Sequence, residues 1–274
     1  MSSHIPQHVM QPTSRNGTHS PDLTRLQRDW IRNGAVILRN FVPEDKIQAY
    51  FKLRDRLNLG RAQFSRDWAF LDHPELADMV ANPKLAETLK HITGEDMGIG
   101  FVLSGLHSSQ RGWHQDDYLN TEELKGRYLA VWIALEDLDE SAGSFEYIPG
   151  SHRWLCLRRK KTTKFLDNRI DWDAFHPRWA IYAEPFINSI AERNILEKDA
   201  MTQRFYAKKG DVLIWHGCTY HRGRTPESDK PRHSLIGHYS SVDIQLKLAD
   251  VYKGVIQHGG NGGPMFVPKF YRSG

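Results

Sequence analysis

The stretch LAVWIALEDLDESAGSFEYIPGSHR, residues 129–153, decides the fold. It opens with seven apolar residues in a row, passes through a short acidic segment that ends in a glycine, and closes with a second apolar run before Pro149-Gly150. Short apolar runs bounded by Gly, Pro and Asp are typical of buried β-strands, because a helix needs a longer periodic segment. The stretch therefore predicts strands at 128–135 and 144–148.

The same pattern continues on both sides of this stretch. Further short runs of β-forming residues are separated by turn sequences, and these runs are 98–106, 204–207, 211–215 and 234–240. Many short strands joined by turns that contain Gly and Pro predict a sandwich, a jelly roll or a barrel.

The residues before 97 follow a helical pattern instead. Apolar side chains recur at helical spacing from Pro21 until Asn33-Gly34 ends the first helix. A second helix is predicted from Pro43 and a third over 73–93, with one short strand at 35–38 between the first two. Because helices come first and strands follow, the predicted fold class is α+β.

The length of 274 residues fits a single domain with a sizeable core. We expect a flexible leader over 1–21, because this segment is polar and rich in Ser and Pro, and one domain over 22–274. Within that domain we expect the β core at about 97–245, an insertion that is partly helical at about 154–205, and a C-terminal segment at 246–274.

Composition excludes several classes of protein. The net charge is +4 and the pI about 9.0, less basic than dedicated nucleic-acid binders usually are. No apolar run approaches the roughly 20 residues of a membrane span, and the leader lacks the apolar core of a signal peptide, so we expect a cytoplasmic protein. Two cysteines against fourteen histidines exclude a disulfide framework and cysteine-based zinc or iron–sulfur sites. Any metal must then be held by histidine and carboxylate.

Three residues form a candidate set of metal ligands. His114 and Asp116 are two positions apart, so on a strand both side chains point to the same face. A His-x-Asp pair alone has little weight, because chance predicts about one in a chain of this composition. If a neighbouring strand brings His221 beside the pair, two imidazoles and one carboxylate form a facial set that suits non-haem Fe(II).

A candidate for binding an anionic ligand follows the three candidate metal ligands in the sequence. Arg232 comes eleven residues after His221, at the start of the predicted strand 234–240. If it projects into the same barrel mouth, its planar guanidinium can bind one carboxylate through two hydrogen bonds.

Together these motifs resemble the phytanoyl-CoA dioxygenase family of Fe(II)/2-oxoglutarate oxygenases. The matching pieces are the His-Gln-Asp run at 114–116, LAVWIALEDL at 129–138, GSFEYIPGSHR at 143–153, and the segment from Gly210 to Tyr239. They stand in the family's order and cover roughly residues 22–245, apart from the insertion. The resemblance implies a double-stranded β-helix core, that is a jelly-roll or cupin-like fold, flanked by the N-terminal helices.

The resemblance also implies roles for individual residues. His114, Asp116 and His221 would ligate iron and form the catalytic centre, while Arg232 would bind the distal carboxylate of 2-oxoglutarate. Trp132 is similar to a family position near this co-substrate.

Two positions depart from the family's pattern. Gly223 stands where the family often has a serine that helps the arginine, and Pro226 stands where it often has an asparagine. Another residue would then complete the co-substrate site, and Thr225 and Tyr239 are the candidates.

The activity that the resemblance implies is hydroxylation of an unactivated C–H bond in a small molecule. 2-Oxoglutarate and O2 would be consumed, with succinate and CO2 as co-products. A carboxylate at 116 favours hydroxylation, because related halogenases have a small residue there. Three alternatives stay open: desaturation or ring modification in natural-product biosynthesis, a non-catalytic jelly-roll binding protein, and an oxygenase that modifies nucleic acid. The last is disfavoured, because the basic residues are confined to one segment.

Substrate contacts are assigned only by position in the sequence. His107, Trp113, Asp117 and Tyr118 flank the first ligands, and ordinary packing explains each of them equally well. Arg153 begins a segment, 153–164, with six basic residues and no acidic one. This segment is either a landing site for an anionic substrate or a solvated basic loop. The sequence leaves the oligomeric state open.

Overall fold

A computed structural model of the chain describes residues 21–60, 62, 64, 68–167, 179–247, 254–258 and 263–268. Residues 1–20, nearly all of the expected leader, lie outside this range. The helices are α1 (Pro21–Asn33), α2 (Glu44–Arg56), α3 (Pro74–Val80), α4 (Pro83–Thr93), α5 (Arg159–Asp167), α6 (Trp179–Glu197) and α7 (Val242–Lys247). The strands are β1 (Ala35–Leu38), β2 (Met97–Gly105), β3 (Tyr128–Ala134), β4 (Phe145–Tyr147), β5 (Gln203–Phe205), β6 (Val212–His216), β7 (His221–Gly223), β8 (Ser234–Ser241), β9 (Gly254–His258) and β10 (Pro264–Pro268).

The strands form two sheets. The larger sheet has the order β1-β6-β3-β8-β2-β10-β9 and the smaller sheet the order β5-β4-β7. Pairing is antiparallel except between β10 and β2, where Met265 lies opposite Ile99. The predicted α+β class with a jelly-roll core is confirmed, and each strand predicted in the core is present within about two residues of its expected limits.

Strand β3 shows how the sequence divides between two layers. Its even-numbered residues, including Trp132, face the smaller sheet and pack on β4 and β5. Its odd-numbered residues, including Val131, face the opposite way and join a larger cluster with helices α1 to α4. A strand buried on both faces reads as a continuous apolar run, which explains the run at 129–135.

The helical segment 73–93 is two helices, where the sequence pattern predicted one. Asn82 precedes Pro83, and the proline ring disfavours helical backbone in the residue before it, so Asn82 has an extended ψ of 151°. Its side chain then accepts a hydrogen bond from the Leu85 N–H at 2.8 Å and caps α4. Pro83 thus ends one helix and begins the next.

The expected insertion at about 154–205 contains the helices α5 and α6. The basic segment 153–164, expected as a loop, enters α5 at Arg159, so its second half is helical. Apolar residues of α5 and α6, among them Leu166 and Ile187, pack together against Tyr118. Among the described residues no helix is both long and apolar enough to cross a membrane.

Substitution of Glu146 tests how much its ion pairs contribute to the stability of the smaller sheet. This carboxylate of β4 is almost fully buried and accepts hydrogen bonds from Arg204 of β5 at 2.8 Å and Arg222 of β7 at 2.7 Å. Glu146→Ala removes the acceptor that both guanidinium groups share, and because these groups are partly exposed and can be solvated, we expect it to lower the free energy of unfolding by about 1–3 kcal/mol. Urea denaturation measures the change, and Glu146→Gln, which keeps the shape and one acceptor oxygen, should lose less. A change within about 0.5 kcal/mol for Glu146→Ala would contradict the expectation.

Candidate metal and co-substrate site

His114 and His221 face each other across an isolated β-bridge. The His114 N–H donates to the His221 carbonyl at 3.1 Å, and the His221 N–H donates to the His114 carbonyl at 3.0 Å. Their ring centroids lie 4.2 Å apart. Backbone pairing therefore sets the distance between two residues that are far apart in sequence.

Asp116 completes a group of three buried side chains. One carboxylate oxygen lies 3.5 Å from His114 Nε2 and the other lies 3.4 Å from His221 Nε2. One atom from each residue lies within 4.8 Å of the others, a spacing that can hold a metal ion. Trp215 of β6 donates a hydrogen bond from Nε1 to the same carboxylate at 3.1 Å and orients it.

Hydrogen bonds fix which nitrogen of each imidazole faces the group. His114 Nδ1 lies 2.8 Å from the Gly112 carbonyl, and His221 Nδ1 lies 2.9 Å from the Thr219 carbonyl. A carbonyl only accepts, so in each ring Nδ1 carries the proton and donates it. Both Nε2 lone pairs are then directed at the space between the rings and the carboxylate, as metal ligation requires.

The charge states suit a cation at this point. Burial lowers the pKa of His221 to about 3, so its imidazole is neutral at physiological pH. Burial alone would raise the pKa of Asp116, but the adjacent His221 and His114 outweigh it and hold that pKa well below its ordinary value. A buried carboxylate and two lone pairs converge on one point, where a cation would relieve their mutual repulsion.

An open cavity of about 430 Å³ extends from this group along the inner face of the larger sheet. Arg232 lines it and is buried, yet no carboxylate among the described residues pairs with it. One guanidinium nitrogen donates to the Gly143 carbonyl at 2.8 Å, while Nε has no hydrogen-bond partner in the described structure. Burial lowers the pKa of Arg232 to about 10, which leaves it cationic at neutral pH. An unpaired buried cation beside a cavity is suited to an anionic ligand.

Trp132 lies in the same cavity, as its predicted place near the co-substrate requires. The Arg232 guanidinium lies 5.7 Å from the centroid of its ring. The indole Nε1 is buried and has no hydrogen-bond partner among the described residues. A ligand oxygen in the cavity could accept from it.

The structure does not support Thr225 and Tyr239 as further co-substrate contacts. Thr225 is exposed and does not line the cavity. Tyr239 belongs to the outer face of β8, where its hydroxyl donates to the Val80 carbonyl at 2.6 Å. Successive side chains of a strand point to opposite faces. Arg232 and Ile236, which line the cavity, have even numbers, whereas Tyr239 has an odd number and points to the other face.

Two serines occupy the space that the family's usual serine would fill. A Cβ atom on Gly223 would lie 2.6 Å from Ser108 Oγ and 2.9 Å from Ser109 Oγ. Ser108 also donates to the Arg224 carbonyl at 2.6 Å. Both serines line the cavity, so hydroxyl groups are present there although β7 supplies none.

This crowding leads to a prediction for Gly223→Ser. We expect the substitution to lower the free energy of unfolding by about 1–3 kcal/mol without improving 2-oxoglutarate binding, because the added side chain displaces Ser108. Thermal unfolding and the KM for 2-oxoglutarate measure the two effects. The double variant Gly223→Ser/Ser108→Ala should recover stability, and a fully stable Gly223→Ser single variant would contradict the packing argument.

Of the predicted substrate residues, His107 lines the cavity and the other four do not. Trp113 packs in a separate cluster beneath the guanidinium of Arg222. Tyr118 is buried against α6, and Asp117 accepts a hydrogen bond from the Gly126 N–H at 3.2 Å.

Arg153 also has a structural role and does not line the cavity. One guanidinium nitrogen donates to the Ile31 and Arg32 carbonyls at the end of α1, at 2.8 and 2.5 Å. These bonds cap the helix and direct the side chain away from the cavity.

Besides the serines of the cavity, sequence reasoning missed two residues with ionisable side chains that line it, Arg111 and His238. His238 stacks on Phe101 at 4.2 Å, its Nδ1 lies 2.6 Å from the Tyr128 hydroxyl, and its Nε2 has no partner among the described residues. Its even number on β8, which places it on the same face of the strand as Ile236, could have indicated that it lines the cavity. Arg111 donates to Glu184 of α6 at 2.7 Å, and nothing in the sequence indicated that pairing.

Comparison with known families agrees with this geometry. The model of the phytanoyl-CoA dioxygenase (PhyH) family matches residues 30–234, most of the chain. The chain belongs to this family. The match confirms the resemblance to the iron- and 2-oxoglutarate-dependent dioxygenases that the sequence motifs indicated.

Individual relatives of this PhyH-family chain are distant. Phytanoyl-CoA dioxygenase domain-containing protein 1 of Danio rerio is 33% identical over 129 residues, which cover 46% of this chain and 37% of that protein. The chain thus aligns with little more than a third of the fish protein's length. Ectoine dioxygenase of Bordetella bronchiseptica is 20% identical over 246 residues, covering 80% of this chain and 75% of that enzyme.

Solved structures show the same fold. The epimerase SnoN, in complex with Fe3+, alpha ketoglutarate and nogalamycin RO, matches with a TM-score of 0.59 and 18% identity, covering 80% of the PhyH-family chain and 84% of SnoN. EctD from S. alaskensis, with 2-oxoglutarate and 5-hydroxyectoine, matches with a TM-score of 0.59 and 17% identity, covering 86% of this chain and 81% of EctD.

Proposed function

We propose that this protein is an Fe(II)/2-oxoglutarate-dependent dioxygenase that hydroxylates an unactivated C–H bond of a small molecule. The observation that carries the proposal is the combination of two imidazoles and a carboxylate at one point with a buried arginine in the adjoining cavity that pairs with no carboxylate of the described residues. Membership of the family supports iron and 2-oxoglutarate as the cofactors. The positions of the site residues support the proposed way of binding both.

The residues fit iron on three grounds. His114, Asp116 and His221 present two nitrogens and an oxygen, the facial set that leaves other positions of the metal open. Both imidazoles already direct a lone pair inward, and the carboxylate is ionised. With iron and 2-oxoglutarate bound, the site would activate O2 and supply an oxidant strong enough for an unactivated C–H bond.

The remaining residues position the co-substrate and exclude water. Arg232 would pair with the distal carboxylate of 2-oxoglutarate, which neutralises a cation that is otherwise buried and unpaired. Trp132 Nε1 and the hydroxyl groups of Ser108 and Ser109 offer hydrogen bonds nearby. Phe145 and Trp215 provide apolar walls that keep solvent from the reacting atoms.

The substrate would enter the part of the cavity that Arg232 does not occupy. Its polar lining includes His107, His238 and Arg111. Arg111 forms an ion pair with Glu184, so its positive charge is already neutralised, unlike that of Arg232. A small molecule with hydrogen-bond acceptors suits this lining, and the volume of about 430 Å³ suits a ligand of metabolite size.

The experiment measures 2-oxoglutarate turnover first and the product second. Purified protein with Fe(II), ascorbate and 2-oxoglutarate should release succinate slowly without substrate, and protein stripped by a chelator should release none. A small-metabolite extract is then compared by mass spectrometry before and after incubation. A gain of one oxygen atom supports hydroxylation, a loss of two hydrogens indicates desaturation or ring closure, and an isomer of unchanged mass indicates epimerisation. Absence of both succinate release and Fe(II) binding would contradict the proposal and favour a non-catalytic binding protein.

A further inference from the structure

Two thiols and a carboxylate meet behind the candidate iron site. Ligand atoms of Cys156, Cys218 and Asp117 all lie within 4.8 Å of one another. Cys156 Sγ is 3.7 Å from Asp117 Oδ2. Tetrahedral zinc with Zn–S bonds of about 2.3 Å and Zn–O bonds of about 2.0–2.2 Å places neighbouring ligand atoms roughly 3.5–3.8 Å apart. The Cys156–Asp117 distance therefore matches two corners of a zinc site, and Cys218 lies within about 1 Å of the spacing of a third.

Gln115 holds the two cysteine segments together. Its side-chain Nε2 donates to the Cys218 carbonyl at 2.7 Å, and its Oε1 accepts from the Leu157 N–H, next to Cys156, at 3.2 Å. The Cys218 N–H also donates to His216 Nδ1 at 3.0 Å. The thiols are thus positioned by hydrogen bonds that do not depend on a ligand, which lowers the entropic cost of binding one.

We propose that Cys156, Cys218 and Asp117 form a second metal site, which binds Zn2+ or a similar thiophilic divalent ion. Binding converts two S–H groups into two thiolates and releases two protons to solvent, with no change of oxidation state, so affinity rises with pH. Cys156 is half-buried and Cys218 is buried, and a water would be the fourth ligand. The sequence predicts that histidine and carboxylate hold any metal, because two cysteines are too few for a cysteine-based site; in the fold a carboxylate lies beside both thiols.

Two neighbouring features bear on the affinity. The hydrogen bond with Cys156 and burial raise the pKa of the Cys218 thiol well above its ordinary value, so without a metal Cys218 stays protonated and is slow to form a disulfide. One guanidinium nitrogen of Arg158 lies 3.7 Å from Asp117 Oδ2. Arg158 is therefore the cation that an incoming metal must outcompete.

The site makes a spectroscopic test possible that does not rely on activity. Full-length protein is reduced with a phosphine, stripped by a chelator and titrated with Co(II) under nitrogen. We expect a near-ultraviolet sulfur-to-cobalt charge-transfer band that saturates at one Co(II) per chain and disappears when Zn(II) is added. The band should persist in His114→Ala, which removes a ligand of the other site, so failure of the iron assignment would leave this result unchanged.

Matched variants decide which residues bind. Cys156→Ser and Cys218→Ser should each abolish the band, with circular dichroism confirming that the fold is kept, and the half-buried Cys156 is the safer position. Arg158→Ala should tighten Co(II) binding by about twofold to fivefold, because the competing cation is gone. The proposal is overturned if reduced protein with two titratable thiols gives no band, if the band survives both serine variants, or if the thiols form a disulfide and bind no metal once reduced.

Discussion

Asp116→Ala is expected to abolish succinate formation from 2-oxoglutarate and to weaken Fe(II) binding by well over a hundredfold. Loss of a residue that only orients a metal ligand typically costs 10–100-fold in affinity or activity, so loss of a ligand should cost more. The carboxylate is also the only negative charge in the group of three, and removing it leaves two neutral imidazoles to hold a divalent cation. Anaerobic Fe(II) titration and a succinate assay measure the two effects.

Asp116→Asn separates this role from a structural one. Trp215 donates to the Asp116 carboxylate, and alanine would leave that buried N–H without an acceptor, at a cost of about 1–3 kcal/mol in stability. Asparagine keeps an acceptor oxygen and nearly the same shape, so the asparagine variant should fold normally and still lose turnover. Substantial turnover in Asp116→Asn would show that the carboxylate is not a ligand.

Arg232→Met is expected to raise the KM for 2-oxoglutarate by roughly two orders of magnitude without destabilising the ligand-free protein. Truncating one partner of a buried charge pair typically costs about 2–5 kcal/mol in binding. Replacing a well-packed buried residue normally destabilises a protein, but here methionine also removes an unpaired buried cation. That relief should offset the lost hydrogen bond to the Gly143 carbonyl.

Thermal unfolding with and without co-substrate tests both halves of this expectation. With Fe(II) under nitrogen, 2-oxoglutarate at 100 times the wild-type Kd should stabilise the wild type by about 2.7 kcal/mol and Arg232→Met, which binds about a hundredfold more weakly, by only about 0.4 kcal/mol. Arg232→Lys is the control, because it keeps the charge and loses the paired geometry of a guanidinium. Equal stabilisation of wild type and Arg232→Met by 2-oxoglutarate would contradict the assignment.

The sequence was sufficient for the features that depend on periodicity and order. Strand β3 could be located because burial on both faces makes it continuously apolar, and Arg232 was placed by its spacing after His221 together with the family resemblance. The proximity of His114 and His221 followed from motif order and family resemblance, and the structure adds the backbone bridge that sets their distance.

Other features depend on contacts that no local pattern encodes. Thr225 and Trp113 are near the ligands in sequence but do not line the cavity, because Thr225 is exposed beyond the end of β7 and Trp113 packs in a separate cluster. The role of Ser108 and Ser109 beside Gly223 required the distance between two segments that are more than one hundred residues apart. Nearness in sequence is a poor guide wherever the chain leaves regular structure.

The bridge between His114 and His221 also bears on the order of events in folding. These two residues are 107 positions apart, and their backbone pairing closes a long loop, although the pairing of β1 with β6 joins residues up to 180 positions apart. Contacts of such long range form slowly, because the entropy of loop closure is lost before the contact is gained. Iron capture should therefore wait until this bridge has formed, so that the rate of metal uptake during refolding, measured by stopped flow, reports when β7 and the His114 segment come together.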